Sequence, residues 1–79
     1  MKAVKKPIEI ETIQWTSDNL NEIQCFSEGA VELGKGDILL IQTLEGVMMA
    51  KKGDWIIKGI KGEFYPCDNE IFKLTYNLI

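Results

Sequence analysis

A chain of 79 residues with 46% hydrophobic residues and a formal net charge of −3 has room for one domain with a modest core, because a chain of this size buries only about 60% of its unfolded surface. Its apolar content argues against disorder, and its apolar runs, none longer than Ile38-Leu39-Leu40-Ile41, fall far short of the roughly 20 residues of a membrane span. The sequence holds neither His nor Arg, which excludes histidine acid–base chemistry, histidine metal ligation and an arginine-rich nucleic-acid surface.

The start is basic, with Lys2, Lys5 and Lys6, but Glu9 and Glu11 occupy the place of a secretory h-region, so a cytoplasmic protein is expected. Ile8 to Trp15 has the β-branched content of a strand. Its apolar parity shifts between Ile8/Ile10 and Ile13/Trp15, which predicts a bulge near Glu11-Thr12 or a strand buried on one face at each end. Thr16-Ser17-Asp18-Asn19 gathers N-cap residues. Leu20, Ile23 and Phe26 then mark the inner side of a short amphipathic helix, with Gly29 as its stop.

Beyond Gly29 the texture changes to short strands and tight turns. Ala30 to Leu33 reads as a weak strand, Gly34-Lys35-Gly36-Asp37 as a turn, and Ile38 to Thr43 as the strongest strand. Leu44-Glu45-Gly46 closes a hairpin with Val47 to Ala50. Lys51 to Asp54 turns the chain into the strand Trp55 to Lys58, and Gly59-Ile60-Lys61-Gly62 turns it again into Glu63-Phe64-Tyr65. Pro66 cannot donate a ladder hydrogen bond and predicts a strand end or an edge. Asp68 is the expected N-cap of a second helix reaching to about Tyr76, with Ile71, Phe72, Thr75 and Tyr76 as its packed stripe. The expectation for residues 1–79 is a single α+β domain: a small, twisted, mostly antiparallel sheet of five to six short strands with two helices on one face or end.

Few residues carry chemistry. Gly34-Lys35-Gly36-Asp37 lacks the third glycine of a dinucleotide loop and precedes a strand, and no phosphate-binding loop occurs elsewhere. Cys25 and Cys67 lack C-x-x-C spacing and read as small buried hydrophobes, with a disulfide or reactive thiol as the alternative. No metal site or cofactor is expected. Asp54 reads as a turn stabiliser bonding to nearby backbone N–H groups, and Trp15 and Trp55 as core rings. Acids dominate from Glu9 to Glu45, whereas Lys51, Lys52, Lys58 and Lys61 dominate from Gly46 to Gly62. The candidate binding residues are therefore these four lysines with Trp55, Glu63 and Tyr65. The lysines offer anion contacts or edge protection, and Tyr65 an aromatic body with a polar tip. Met48-Met49 adds a soft side chain on each face of its strand, a mild sign of an interface.

The stretch Gly53-Asp54-Trp55-Ile56-Ile57-Lys58-Gly59-Ile60-Lys61-Gly62-Glu63-Phe64-Tyr65-Pro66-Cys67 is similar to the diagnostic segment of a widespread family of small phage and prophage proteins. Ile13-Gln14-Trp15, Thr16-Ser17-Asp18-Asn19-Leu20, Thr43-Leu44-Glu45-Gly46 and Ile71 to Tyr76 extend the resemblance over nearly the whole chain. Asn69 stands where members often carry Pro just inside the last helix. The resemblance implies a phage-encoded protein of the bacterial cytoplasm and supplies no catalytic residues. The leading expectation is a non-enzymatic accessory protein that binds a host or phage protein, with host defence or replication as the processes it would modulate and a self-complementary homodimer permitted by the charge asymmetry. The alternative is an oligomer that sequesters a nucleotide-derived signal between the lysines, Trp55 and Tyr65. A small hydrolase using Asp54 or Glu63 is the third reading.

Overall fold

The computed structural model describes residues 1–4 and 6–79; Lys5, part of the basic start, lies outside the described residues. In chain order the elements are β1 (Glu11–Gln14), α1 (Leu20–Ser27), β2 (Val31–Leu33), a 3-10 turn (Lys35–Asp37), β3 (Leu39–Thr43), β4 (Gly46–Ala50), β5 (Trp55–Lys58), β6 (Phe64–Cys67) and α2 (Asn69–Thr75). The result is a small α+β fold. Its six strands form two antiparallel three-stranded sheets, ordered β1-β5-β6 and β2-β3-β4, where the sequence suggests one.

The sheets part at Lys51–Asp54. The Gly53 N–H donates to the Trp15 carbonyl (2.7 Å) and the Trp15 N–H donates to the Asp54 carbonyl (2.8 Å). These bonds hand the chain from β4 to β1. Gly53 sits at φ +98°, a conformation that a Cβ would make costly.

β5 is the central strand of its sheet and is buried on both sides. Ile56 joins Trp15, Ile23, Val31, Leu39, Ile41, Ala50 and Phe64 in the main core. Its neighbour Ile57 is equally buried, and strand alternation turns it to the opposite face, where Trp55 meets Phe72 of α2. Both faces of this sheet therefore need a cover, and the two helices lie on opposite sides of it. α1 supplies the first cover, with Ile23 in the core and the Phe26 ring edge-on to Phe64 at 5.6 Å. α2 supplies the second.

The same two-sidedness settles the parity of the first strand. Thr12 pairs with Ile57 and Ile13 with Ile56 without a bulge. Ile13 and Trp15 face the main core, whereas Ile10 and Thr12 have the parity of the α2 side. Burial on one face at each end is what the chain adopts, and Ile8 is exposed beyond the strand.

Local signals at the helix ends are used in ways the sequence only partly predicts. Asp68 caps α2, its carboxylate accepting from Glu70 N (2.9 Å) and Ile71 N (3.3 Å). Asn19 precedes α1 without capping it; its amide accepts from Thr16 N (3.0 Å) and donates to the Gln14 carbonyl (2.8 Å), which braces the turn instead. β6 runs through Pro66 to Cys67, and because it is an edge strand, the missing N–H costs it no ladder bond on the open side. Of the stripe predicted for α2, Phe72 is buried and Tyr76 leans on it at 5.1 Å, but Ile71 and Thr75 face solvent. The cysteines also differ from expectation. Cys25 lies on the outer side of α1 and is exposed, and Cys67 is half-buried; both are free thiols.

Candidate functional site

Most of the residues singled out by charge and aromaticity, Lys51, Trp55, Lys58, Glu63 and Tyr65, are drawn into internal contacts. Asp54 receives the Lys51 backbone N–H (2.9 Å) on one oxygen and the Lys51 ammonium (2.9 Å) on the other, which is the turn-stabilising role its position predicts. The same ammonium reaches Asp68 at 3.1 Å. Asp54 and Asp68 raise the Lys51 pKa, and in return Lys51, with the N–H groups of Ile71 and Glu70, holds the Asp68 carboxyl below its ordinary value. This triad ties the β4–β5 turn to the start of α2.

Trp55 serves the same junction. Its ring stacks on Phe72 at 4.1 Å with 6° between planes, and its indole N–H donates to Asn69 Oδ1 (2.9 Å). Gln14 Nε2 lies 3.5 Å from that same oxygen and donates to the Gly53 carbonyl (3.0 Å). Asn69, which in the sequence marks only a departure at a helix start, thus joins α2, β5 and β1. Tyr65, on the α2 face of β6, hydrogen-bonds with Tyr76; burial first, and then that contact, push its phenol up to about 12. Burial likewise raises the neighbouring Cys67 thiol.

At the other end of β5, Lys58 lies 3.9 Å from Glu11, and the Glu63 side chain folds over Gly59 where a Cβ would stand. Lys52 and Lys61 are exposed and form no ion pair among the described residues. The four lysines therefore do not converge. Lys51 and Lys52 precede β5, Lys58 ends it and Lys61 follows it, and the four strand steps from Asp54 to Lys58 span roughly 13 Å at ~3.3 Å per residue. Trp55, between them, has one ring face covered. Asp54 and Glu63 are set apart by the same strand, beyond the ~5–9.5 Å of paired catalytic carboxylates.

What the fold leaves open is apolar. β4 is an edge strand, paired only with β3. In its register Thr43 faces Gly46, Ile41 faces Met48 and Leu39 faces Ala50. A two-residue hairpin makes Thr43 and Gly46 a hydrogen-bonded pair, so Met48 and Ala50 also bond to β3, while the N–H and C=O groups of Val47 and Met49 point outward. No backbone bond takes up these outward groups among the described residues.

The side chains of Val47 and Met49 share the outer face of this sheet with Leu40 and Gln42, and Val47 is 57% and Met49 69% exposed. Met48 points to the inner face, beside a groove of about 340 Å³ bounded by Leu44, Glu63, Phe64, Tyr65 and Pro66. The sequence flags Met48-Met49 but gives no reason to choose Val47 or Leu40, because edge status is a property of strand order. A larger open hollow of about 680 Å³ lies between Ile8, Ile10, Phe72 and Leu78, with Glu9 and Tyr76 also in its lining.

Comparison with protein-family models, curated proteins and solved structures finds no match to this chain. Among the described residues no helix is long and apolar enough to cross a membrane.

Proposed function

We propose that this protein carries out no reaction of its own and acts by binding a host or phage protein, as a small phage or prophage accessory protein in the bacterial cytoplasm. The observation that carries the reading is the outer face of the β2-β3-β4 sheet, where Val47 and Met49 present exposed apolar side chains beside a half-buried Leu40. Exposed apolar surface of this kind marks interaction sites in proteins that otherwise bury such groups. The resemblance of Gly53 to Cys67 to the phage and prophage family supplies the setting and the class of partner.

The test places a photo-crosslinking amino acid at Gln42, exposed on that face but away from the strand edge, and compares it with the same group at Cys25 on α1. In bacterial cells a discrete adduct with another protein is expected from position 42, weakened by Met49→Glu. Diffuse labelling that is equal at both positions would overturn the reading.

A further inference from the structure

The edge of β4 poses a separate question from its face. Natural edge strands are blunted by charge, proline, a bulge or a covering element. Gly46-Val47-Met48-Met49-Ala50 has none of these: it carries no charged residue and no proline, pairs with β3 in unbroken register, and has no strand beyond it among the described residues. We propose that a second copy of this chain occupies this edge, with the two β4 strands antiparallel about a two-fold axis at Met48.

The register follows from hydrogen-bond alternation. An antiparallel pair requires residues with outward N–H and C=O groups to face one another. A two-fold axis at Met48 sets Val47 opposite Met49 of the second copy, and Met49 opposite its Val47, so all outward groups of both residues are bonded in about four inter-strand bonds. The two Met48 residues then form the non-bonded central pair. Met48 is 40% exposed, which leaves room for this approach on the inner face.

Charge selects this register over its neighbours. With the axis at Met48, Glu45 lies opposite Lys51 of the second copy, and the symmetry repeats the pair on the other side. Lys51 is held by Asp54 and Asp68, yet its side chain remains 62% exposed, so it is available to a third carboxylate. Moving the axis to Val47 or Met49 keeps the backbone bonds but sets Glu45 against Met49 or Gly53. The paired sheets become one six-stranded sheet, β2-β3-β4-β4-β3-β2, and the Leu40-Val47-Met49 face continues across the axis. The inference rests on the binding reading only in using that same sheet: the face takes the partner, and the edge takes the second copy.

One strand edge is a small contact, below the ~1,200 Å² of standard interfaces, so a weak, concentration-dependent dimer is expected. Sedimentation equilibrium of the purified full chain between about 1 μM and about 1 mM should show monomer passing to dimer, with the midpoint in the micromolar range characteristic of small interfaces. Met49→Pro removes one outward N–H from each copy, two of the about four inter-strand bonds, and no β3 bond; it should leave the fold intact by far-UV circular dichroism and weaken association at least ~10-fold, the scale of two net interfacial hydrogen bonds. Register is read by single cysteines in a background in which both native thiols are removed, Cys25→Ser and Cys67→Ser. Directly opposed Met48→Cys residues meet at a Cα separation of ~4.5 Å, within disulfide range, and should cross-link between copies faster than Val47→Cys or Met49→Cys. A monomer throughout the concentration range, or fastest cross-linking from position 47 or 49, would overturn the proposal. A monomer that still gives a discrete heterologous adduct from position 42 would remove the dimer and leave the binding reading standing.

Discussion

Replacing Phe72 with Ala tests whether Trp55 is a structural ring or an accessible platform. Phe72 is the one buried residue of α2, and its ring covers a face of Trp55 at 4.1 Å. Truncating a buried Phe costs ~3–5 kcal/mol, and losing a stacked aromatic pair adds ~0.5–1.5 kcal/mol. A chain of 79 residues at ~0.05–0.15 kcal/mol per residue has ~4–12 kcal/mol of stability to lose. Phe72→Ala should therefore lower the thermal midpoint by more than about 15 °C, taking ~4–8 °C per kcal/mol for a domain of this size. Urea unfolding measures the loss. Fluorine NMR of the 5-fluorotryptophan protein separates Trp55, which should shift, from Trp15 in the main core, which should not. A loss below ~1 kcal/mol with the Trp55 resonance unmoved would refute the role given to Phe72 here.

Asp54→Ala should cost ~1–3 kcal/mol by urea unfolding, because it leaves the Lys51 backbone N–H without its acceptor; Asp54→Asn, which keeps an acceptor oxygen, should cost less. Tyr65 should ionise at about 12 in an ultraviolet titration, and Tyr76→Phe should bring that midpoint down. Since the folded protein holds the Tyr65 proton more tightly than the unfolded chain, whose tyrosines ionise near pH ~10, this contribution to stability is complete below pH ~10 and is lost as pH rises toward about 12. Gly53→Ala should destabilise by ~1–2 kcal/mol through its positive φ. Gly59→Ala should cost less in the same thermal assay, because what it meets is the movable end of Glu63.

Much of the chain was legible locally. Asp68 caps a helix and Asp54 braces a turn because each carboxylate finds backbone N–H groups within three residues. The Leu20-Ile23-Phe26 spacing, the Leu44-Glu45 hairpin and the edge position of Pro66 follow from periods and bond requirements that act over one turn or one pair of strands. The division into two sheets does not. It depends on Gly53 and Trp15 meeting across the fold, a contact between residues far apart in sequence. The candidate site divides the same way. The lysines, Trp55, Glu63 and Tyr65 are adjacent in sequence, and adjacency suggested one cluster. A strand separates its ends in space, and partners on distant elements (Glu11, Asp68, Asn69, Phe72, Tyr76) take up several of its members.

By itself the sequence determined an α+β chain without histidine chemistry, its helices and turns, and the apolar character of Trp55-Ile56-Ile57. Those features depend on side-chain type and short-range geometry. Only the tertiary structure decided that β5 is covered on both faces while β4 is left with one edge unpaired. Strand order is set by which distant segments satisfy one another's backbone groups, and the strands at the ends of that order, β4 among them, are the ones with bonds still to give.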